Sequence, residues 1–135
     1  MNRFRAVICG GGIAAIEGLL RLRKLAGDTI DITVLAPNEE LVMRPLAVRQ
    51  PFAGGPPNHY ALKRIAADNE AEWVQDSLSW VDPDGQVVHT EDGQQLNFDA
   101  LLVAVGASQV RAFEHAQTFR DADADEVFRL SLIHI

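Results

Sequence analysis

The chain has 135 residues, enough for one domain with a sizeable core, and its 47% hydrophobic and 23% charged content excludes a disordered polymer. With 12 basic against 19 acidic side chains the formal charge is −7, and the absence of a basic stripe argues against nucleic acid as a partner. The one cysteine, Cys9, excludes an internal disulfide, and the longest apolar run, Ala100 to Val105, is far too short to cross a bilayer.

Phe4 to Cys9 reads as a buried strand, with Cys9 a small apolar residue of its interior. Met1 to Arg5 leads straight into it without the pattern of a signal peptide, so a cytoplasmic location is expected. Gly10-Gly11-Gly12 follows, then a helix from Ile13 to about Ala26 that Gly27 ends. On that helix Glu17, Arg21, Lys24 and Asp28 form a polar stripe, with Glu17 four residues before Arg21 in the favourable order for an ion pair. Ala15, Gly18, Leu19, Leu22 and Leu25 form the face expected to be buried. Asp31 to Leu35 is a second strand.

Asn38 to Asn58 is expected to be irregular: it is entered through Pro37 and holds Pro45, Pro51, Pro56, Pro57 and Gly54-Gly55. Loops of that length in a compact domain are usually functional. His59 to about Asp68 is expected to be a helix, and Glu72 to Val81 one strand. Asp82-Pro83-Asp84-Gly85 and Glu91-Asp92-Gly93 are turn sequences, so Gln86 to Thr90 and Gln94 to Phe98 should complete a three-stranded antiparallel meander. Leu101 to Val105 is a continuous apolar run, as expected of a parallel strand covered on both faces.

The segment with the clearest chemistry is Gly10-x-Gly12-x-x-Ala15, placed directly after a strand and opening a helix. In such a turn the first glycine permits a sharp reversal and the second lets the backbone approach a pyrophosphate. The small third residue lets the helix pack closely on the strand. The helix N-terminus then presents free N–H groups and a positive dipole end to phosphate oxygens. Glycine turns after strands are common, and it is the strand–turn–helix context that gives the pattern its specificity. One expected element is missing. The second strand should end on an acid that binds a ribose hydroxyl, yet Val34-Leu35 runs into Ala36-Pro37. The nearest acids are Glu39 and Glu40: either one of them reaches back, or backbone and water hold the ribose.

Gly10 to Glu17 resembles the opening of the FAD/NAD(P)-binding pyridine nucleotide–disulfide oxidoreductase superfamily. Asn38 to Val48, with Arg44-Pro45-Leu46, resembles the loop that passes near the flavin in its type II NADH dehydrogenase and sulfide:quinone oxidoreductase branch. Asp76-Ser77-Leu78 falls where that branch uses main-chain groups against adenine. Phe98 to Ala107 resembles its second signature, with Ala104-Val105-Gly106 where the family commonly has Ala-Thr-Gly. No Cys-x4-Cys pair follows the glycine helix, so the mechanism of the disulfide reductases proper is excluded.

The resemblance implies an α/β fold: a Rossmann-like parallel sheet with a β-meander insertion, the truncated form of a flavoprotein with two dinucleotide-binding domains. Residues 1–120 would be an incomplete FAD-binding domain, 121–130 the start of a helix leading to an absent NAD(P)H-binding domain, and 131–135 a non-native tail. The last six residues, Leu130 to Ile135, break the helical pattern and match one reading frame of a sequencing-library adapter. The implied cofactor-binding residues are Gly10, Gly11, Gly12, Ile13, Ala14, Ala15, Ala36, Arg44, Pro45, Leu78, Ala104, Val105 and Gly106. The implied function is FAD-dependent hydride transfer from NAD(P)H to a quinone-like or other small acceptor. Any peripheral membrane contact would be made through the missing C-terminal parts, and the fragment itself is expected to be inactive. No residue is assigned as catalytic acid, base or nucleophile. Two alternatives stay open: a nicotinamide-binding dehydrogenase using the same glycine turn, and a non-catalytic nucleotide-binding module.

The remaining polar residues read more plainly. His59, His89, His115 and His134 lack metal-ligand spacing. Trp73 and Trp80 read as packing residues, and Asp121, Asp123, Asp125 and Glu126 as a solvated helix start without a closing glutamate at the offset of a calcium loop.

Overall fold

The computed structural model describes residues 3–42 and 59–107. Arg44 and Pro45, His115 and His134, the acidic cluster at 121–126 and the tail at 131–135 lie outside the described residues.

Strand β1 (Phe4–Cys9) lies inside a four-stranded parallel sheet and is followed by helix α1 (Ile13–Ala26) and strand β2 (Ile30–Leu35). Short strands β3 (Glu40–Val42) and β4 (His59–Ala61) pair antiparallel and lead into helix α2 (Leu62–Asp68). Strand β5 (Glu72–Val74) returns to the parallel sheet beside β2. Strands β6 (Leu78–Asp82), β7 (Val87–Thr90) and β8 (Gln95–Asn97) form the antiparallel meander, and β9 (Ala100–Val103) rejoins the main sheet on the far side of β1. The sheet order is β5-β2-β1-β9. This is the expected α/β architecture, a parallel sheet with a meander insertion.

From Ala6 to Cys9, β1 reads as uninterrupted apolar sequence because both of its faces are covered there. Ala6 and Ile8 point to one side and pack with Ala15 and Leu19 of α1 and Ile32 and Val34 of β2. Val7 and Cys9 point to the other, against Val88 and Phe98 of the meander and Leu35. Cys9 is fully buried, and that burial pushes its thiol up to about 11, so it stays neutral as an interior residue should. Asp99 clamps the sheet at the opposite end from the glycine turn. Its Oδ2 accepts from the Arg5 amide at 2.7 Å and from Nε at 3.1 Å, and its Oδ1 accepts from Arg5 Nη2 at 3.1 Å. The Arg5 guanidinium, chiefly through these hydrogen bonds, holds the Asp99 carboxyl below its ordinary range.

Several expectations change in the structure. The predicted single strand Glu72 to Val81 is two strands in two different sheets, broken at Gln75-Asp76-Ser77. There the Asp76 carboxylate caps the amide of Ser77, which turns the chain out of one sheet and into the other. His59 to Ala61 is a strand rather than the first turn of α2, because it pairs with Glu40 to Val42 inside the segment expected to be irregular. On α1, Ile16 is buried and Leu25 is 69% exposed, which turns the apolar face toward β2 and away from the helix end. Glu17 and Arg21 make no ion pair among the described residues. The helix end is tied instead by Arg23, whose guanidinium donates to the carbonyls of Asn69, Glu70, Gly27 and Ile30.

The apolar run after the meander is strand only to Val103, and it is not covered on both faces. Among the described residues β9 is a sheet edge, with Leu102 and Val103 exposed. Trp80 is likewise not a packing residue: it is 53% exposed and stacks on His89 with ring centroids 3.9 Å apart. Trp73 does pack against the core.

Candidate functional site

The carboxyl ends of β1, β2 and β9 converge where the chain leaves β1 in one direction and returns through β9 on its other side, the crevice in which open α/β sheets bind ligands. Two hydrogen bonds fix the crevice floor. The Gly10 amide donates to the Leu35 carbonyl at 2.8 Å, and the Ala104 amide donates to the Cys9 carbonyl at 2.7 Å.

The three glycines of the turn do different things. Gly10 has φ +135°, a backbone state that side chains disfavour, and a Cβ there would lie 2.2 Å from the Ala104 carbonyl oxygen. A Cβ on Gly11 would lie 2.7 Å from Leu62 Cδ1 and 3.1 Å from the Ala36 Cβ. Gly12 has an ordinary φ of −87°, and among the described residues a Cβ there would meet nothing within 4 Å. A side chain at Gly12 would therefore not strain the turn. That position is constrained only by what occupies the open space in front of it.

Gly12 is the N-cap of α1 without a side-chain cap, and the first turn holds no acid. Ile16 makes the first bond back to the Gly12 carbonyl, at 3.1 Å. The amides of Ile13, Ala14 and Ala15, one turn earlier, have no helical acceptor to donate to. Ala15 is fully buried against β1, as its small size anticipates. Arg23 and Lys24 occupy the last turn, the favourable end of the dipole for cations.

In front of this turn lies a cleft of about 510 Å³, within the range of small-molecule sites. Gly10 to Ile13 form its floor, and Ala104 to Ala107 one wall. Leu35, Pro37, Asn38, Glu40 and Leu41 form the opposite lip, and Ser77 and Leu78 close the end. The cleft thus gathers Gly10, Gly11, Gly12, Ile13, Leu78, Ala104, Val105 and Gly106 of the predicted set. Ala14 and Ala15 follow as the next two residues of the helix. Ala36 does not line the cleft: its side chain is fully buried with Ile16, Leu41 and Leu62. Leu35 and Pro37 were not foreseen as lining residues, whereas Asn38, Leu41, Ser77 and Ala107 fall within segments that the resemblance singled out without naming them as contacts.

The end wall is held by a buried carboxylate. Asp76 Oδ1 accepts the Ser77 amide at 2.6 Å and Oδ2 accepts the Asp92 amide at 3.2 Å, while the Ser77 carbonyl accepts from Glu91 at 3.0 Å. The Thr90 hydroxyl, followed by those two amides, keeps Asp76 ionised below its usual range in spite of its burial. On the lip, the two candidate acids point to different partners. Glu39 accepts from Gln75 Nε2 at 3.3 Å, whereas Glu40 lines the cleft and its Oε2 lies 2.6 Å from His59 Nδ1. Among the described residues no group of three or more His, Cys, Asp or Glu side chains could hold a metal, and no helix is long and apolar enough to cross a membrane.

Comparison with known proteins agrees with this geometry. No protein-family model matches the chain. Over 111 residues it is 28% identical to the mitochondrial sulfide:quinone oxidoreductase of Dictyostelium discoideum, covering 78% of this chain and 24% of that protein. The structure of the sulfide:quinone oxidoreductase of Aquifex aeolicus superposes with a TM-score of 0.73 at 23% identity, over 79% of this chain and 25% of the other. NDH2 of Plasmodium falciparum, solved with NADH, gives a TM-score of 0.68 at 17% identity, over 84% of this chain and 24% of the other. The chain spans about a quarter of the length of the curated relatives it matches.

Proposed function

We propose, from its fold and its partial likeness to these oxidoreductases, that the chain is part of an FAD/NAD(P)-binding oxidoreductase and that the cleft holds the ADP half of FAD. The observation that carries this is the open space at Gly12. The turn fits a pyrophosphate because the uncapped helix start, free of acids, faces that space and a Cβ would fill it. The amides of Ile13 and Ala14 would donate to the phosphate oxygens. Ser77 and Leu78, fixed by Asp76, would present main-chain groups to the adenine. Val105 and Gly106, following β9, lie on the flavin-ward wall in this reading.

When bound, FAD supplies the redox chemistry of the whole protein, accepting a hydride from NAD(P)H and passing electrons to a quinone-like or other acceptor. The chain contributes position and electrostatics, and no described side chain is needed as an acid or base. A cytoplasmic location belongs to the same proposal and is checked by fractionation. The function is tested by purifying the whole protein and recording its visible spectrum and NAD(P)H oxidation. Bound flavin reduced by NAD(P)H supports the proposal. Bound nicotinamide without flavin supports a dehydrogenase instead, and no nucleotide at all supports a non-catalytic module.

A further inference from the structure

The end of β2 offers no carboxylate, since Ala36 is turned into the core under Gly11. Only one acid lines the cleft among the described residues, and it is Glu40 on β3. Its geometry is that of a prepared acceptor. An ionised carboxylate only accepts hydrogen bonds, so the 2.6 Å contact requires His59 Nδ1–H to donate to Glu40 Oε2. That contact runs across the β3–β4 ladder, where Glu40 pairs with Ala61 and Val42 with His59, so the strand pairing itself brings the two side chains together. Among the described residues Glu40 Oε1 accepts no hydrogen bond. Glu39, the neighbouring acid, is engaged by Gln75 and does not line the cleft.

The geometry points to Glu40, oriented by His59, as the acceptor for the ribose 2′-hydroxyl of the bound adenine nucleotide. The cleft then selects a dinucleotide whose ribose carries no 2′-phosphate. The inference rests on the reading of the cleft as an ADP site. The chemistry is direct: a hydroxyl donates to Oε1, which accepts nothing else among the described residues, whereas a 2′-phosphate would set its negative charge against the carboxylate. No Lys or Arg lines the cleft among the described residues to offset that repulsion. His59 is a positioning residue, acting only through Glu40.

The test is calorimetric titration of the flavin-stripped whole protein with ADP, 2′-deoxy-ADP, ADP-ribose and 2′-phospho-ADP-ribose. The Glu40 and His59 side chains are 51% and 41% exposed, so their variants should fold, which circular dichroism verifies. The wild type should prefer ADP to 2′-deoxy-ADP by about ten-fold, the lower end for a hydrogen bond to a charged acceptor. Glu40→Ala should erase that preference and narrow the gap between ADP-ribose and its 2′-phosphate, with Glu40→Gln in between. His59→Ala should shrink the preference when Glu40 is present and change nothing in the Glu40→Ala background. If ADP binds and Gly12→Val blocks it, but Glu40→Ala keeps the full preference for the 2′-hydroxyl, the assignment of Glu40 is overturned while the cleft reading survives. If ADP fails to bind the wild type at all, both are overturned.

Discussion

The two sides of the cleft are built on different principles. The glycine turn is a backbone device. Gly10 and Gly11 are small because Ala104, Leu62 and Ala36 lie where their side chains would be, and Gly12 is small although none of the described residues lies in front of it. The lip and end wall are side-chain devices, where Glu40 is placed by its partner on a neighbouring strand and Ser77 by a buried Asp76. The difference teaches that residue identity on the first side reports fold and ligand separately, position by position. On the second it reports neither until the strands are paired.

The largest effect expected from breaking this comparison is at Gly10. Gly10→Ala meets the Ala104 carbonyl at 2.2 Å in a disfavoured backbone state, so it should cost about 3–5 kcal/mol in stability, read by denaturant unfolding. Leu62→Ala comes next. Leu62 is 1% exposed beneath Gly11, and emptying that space should cost about 2–4 kcal/mol, leaving a folded protein with a loosened turn. A destabilised Leu62→Ala that binds nucleotide as tightly as wild type would separate the packing under the turn from its ligand role.

A smaller effect is expected far from the cleft, at the Arg5–Asp99 clamp. Because the folded carboxyl of Asp99 is held below its ordinary 3.8, its contribution is present above that pH and is lost as the pH falls through the folded value. Asp99→Asn should therefore be less stable than wild type at pH 7, and the gap should close in acid. A gap independent of pH would mean that the clamp acts through shape alone. The smallest effect is expected at Glu39, whose exposed carboxylate faces Gln75. Glu39→Ala should change neither stability nor nucleotide affinity by more than about 0.5 kcal/mol.

The contrast between the two sides also explains what could be read from the sequence. β1, α1 and the glycine turn were legible because their constraints are local. Where a strand is covered on both faces, as β1 is from Ala6 to Cys9, it is apolar, and a turn with φ +135° calls for glycine. The meander was legible from its two turn sequences. The break at Gln75-Asp76-Ser77 was not, because Asp76 is fixed partly by Thr90 and Asp92, residues that reach it only once the meander has folded. The β3–β4 ladder was hidden in a proline-rich stretch, and a strand of three residues has too short a pattern to register. The exposure of Leu102 and Val103 on β9 was hidden because a run of apolar residues looks the same whether its faces are covered or partly open. Glu40 was visible as one of two acids, but only the pairing with His59 distinguishes it from Glu39.

The central claim is that Gly12 is glycine for a ligand and not for the fold, and the most direct test is Gly12→Val in the whole protein, measured for stability and for FAD content together. With φ −87° and no described residue within reach of its Cβ, the variant should unfold within about 1 kcal/mol of wild type, the range of an N-cap substitution. It should also purify without flavin and fail to take up added FAD or ADP. A stable Gly12→Val protein that retains its full complement of flavin would contradict the account, because the space in front of Gly12 would then not be where the pyrophosphate lies.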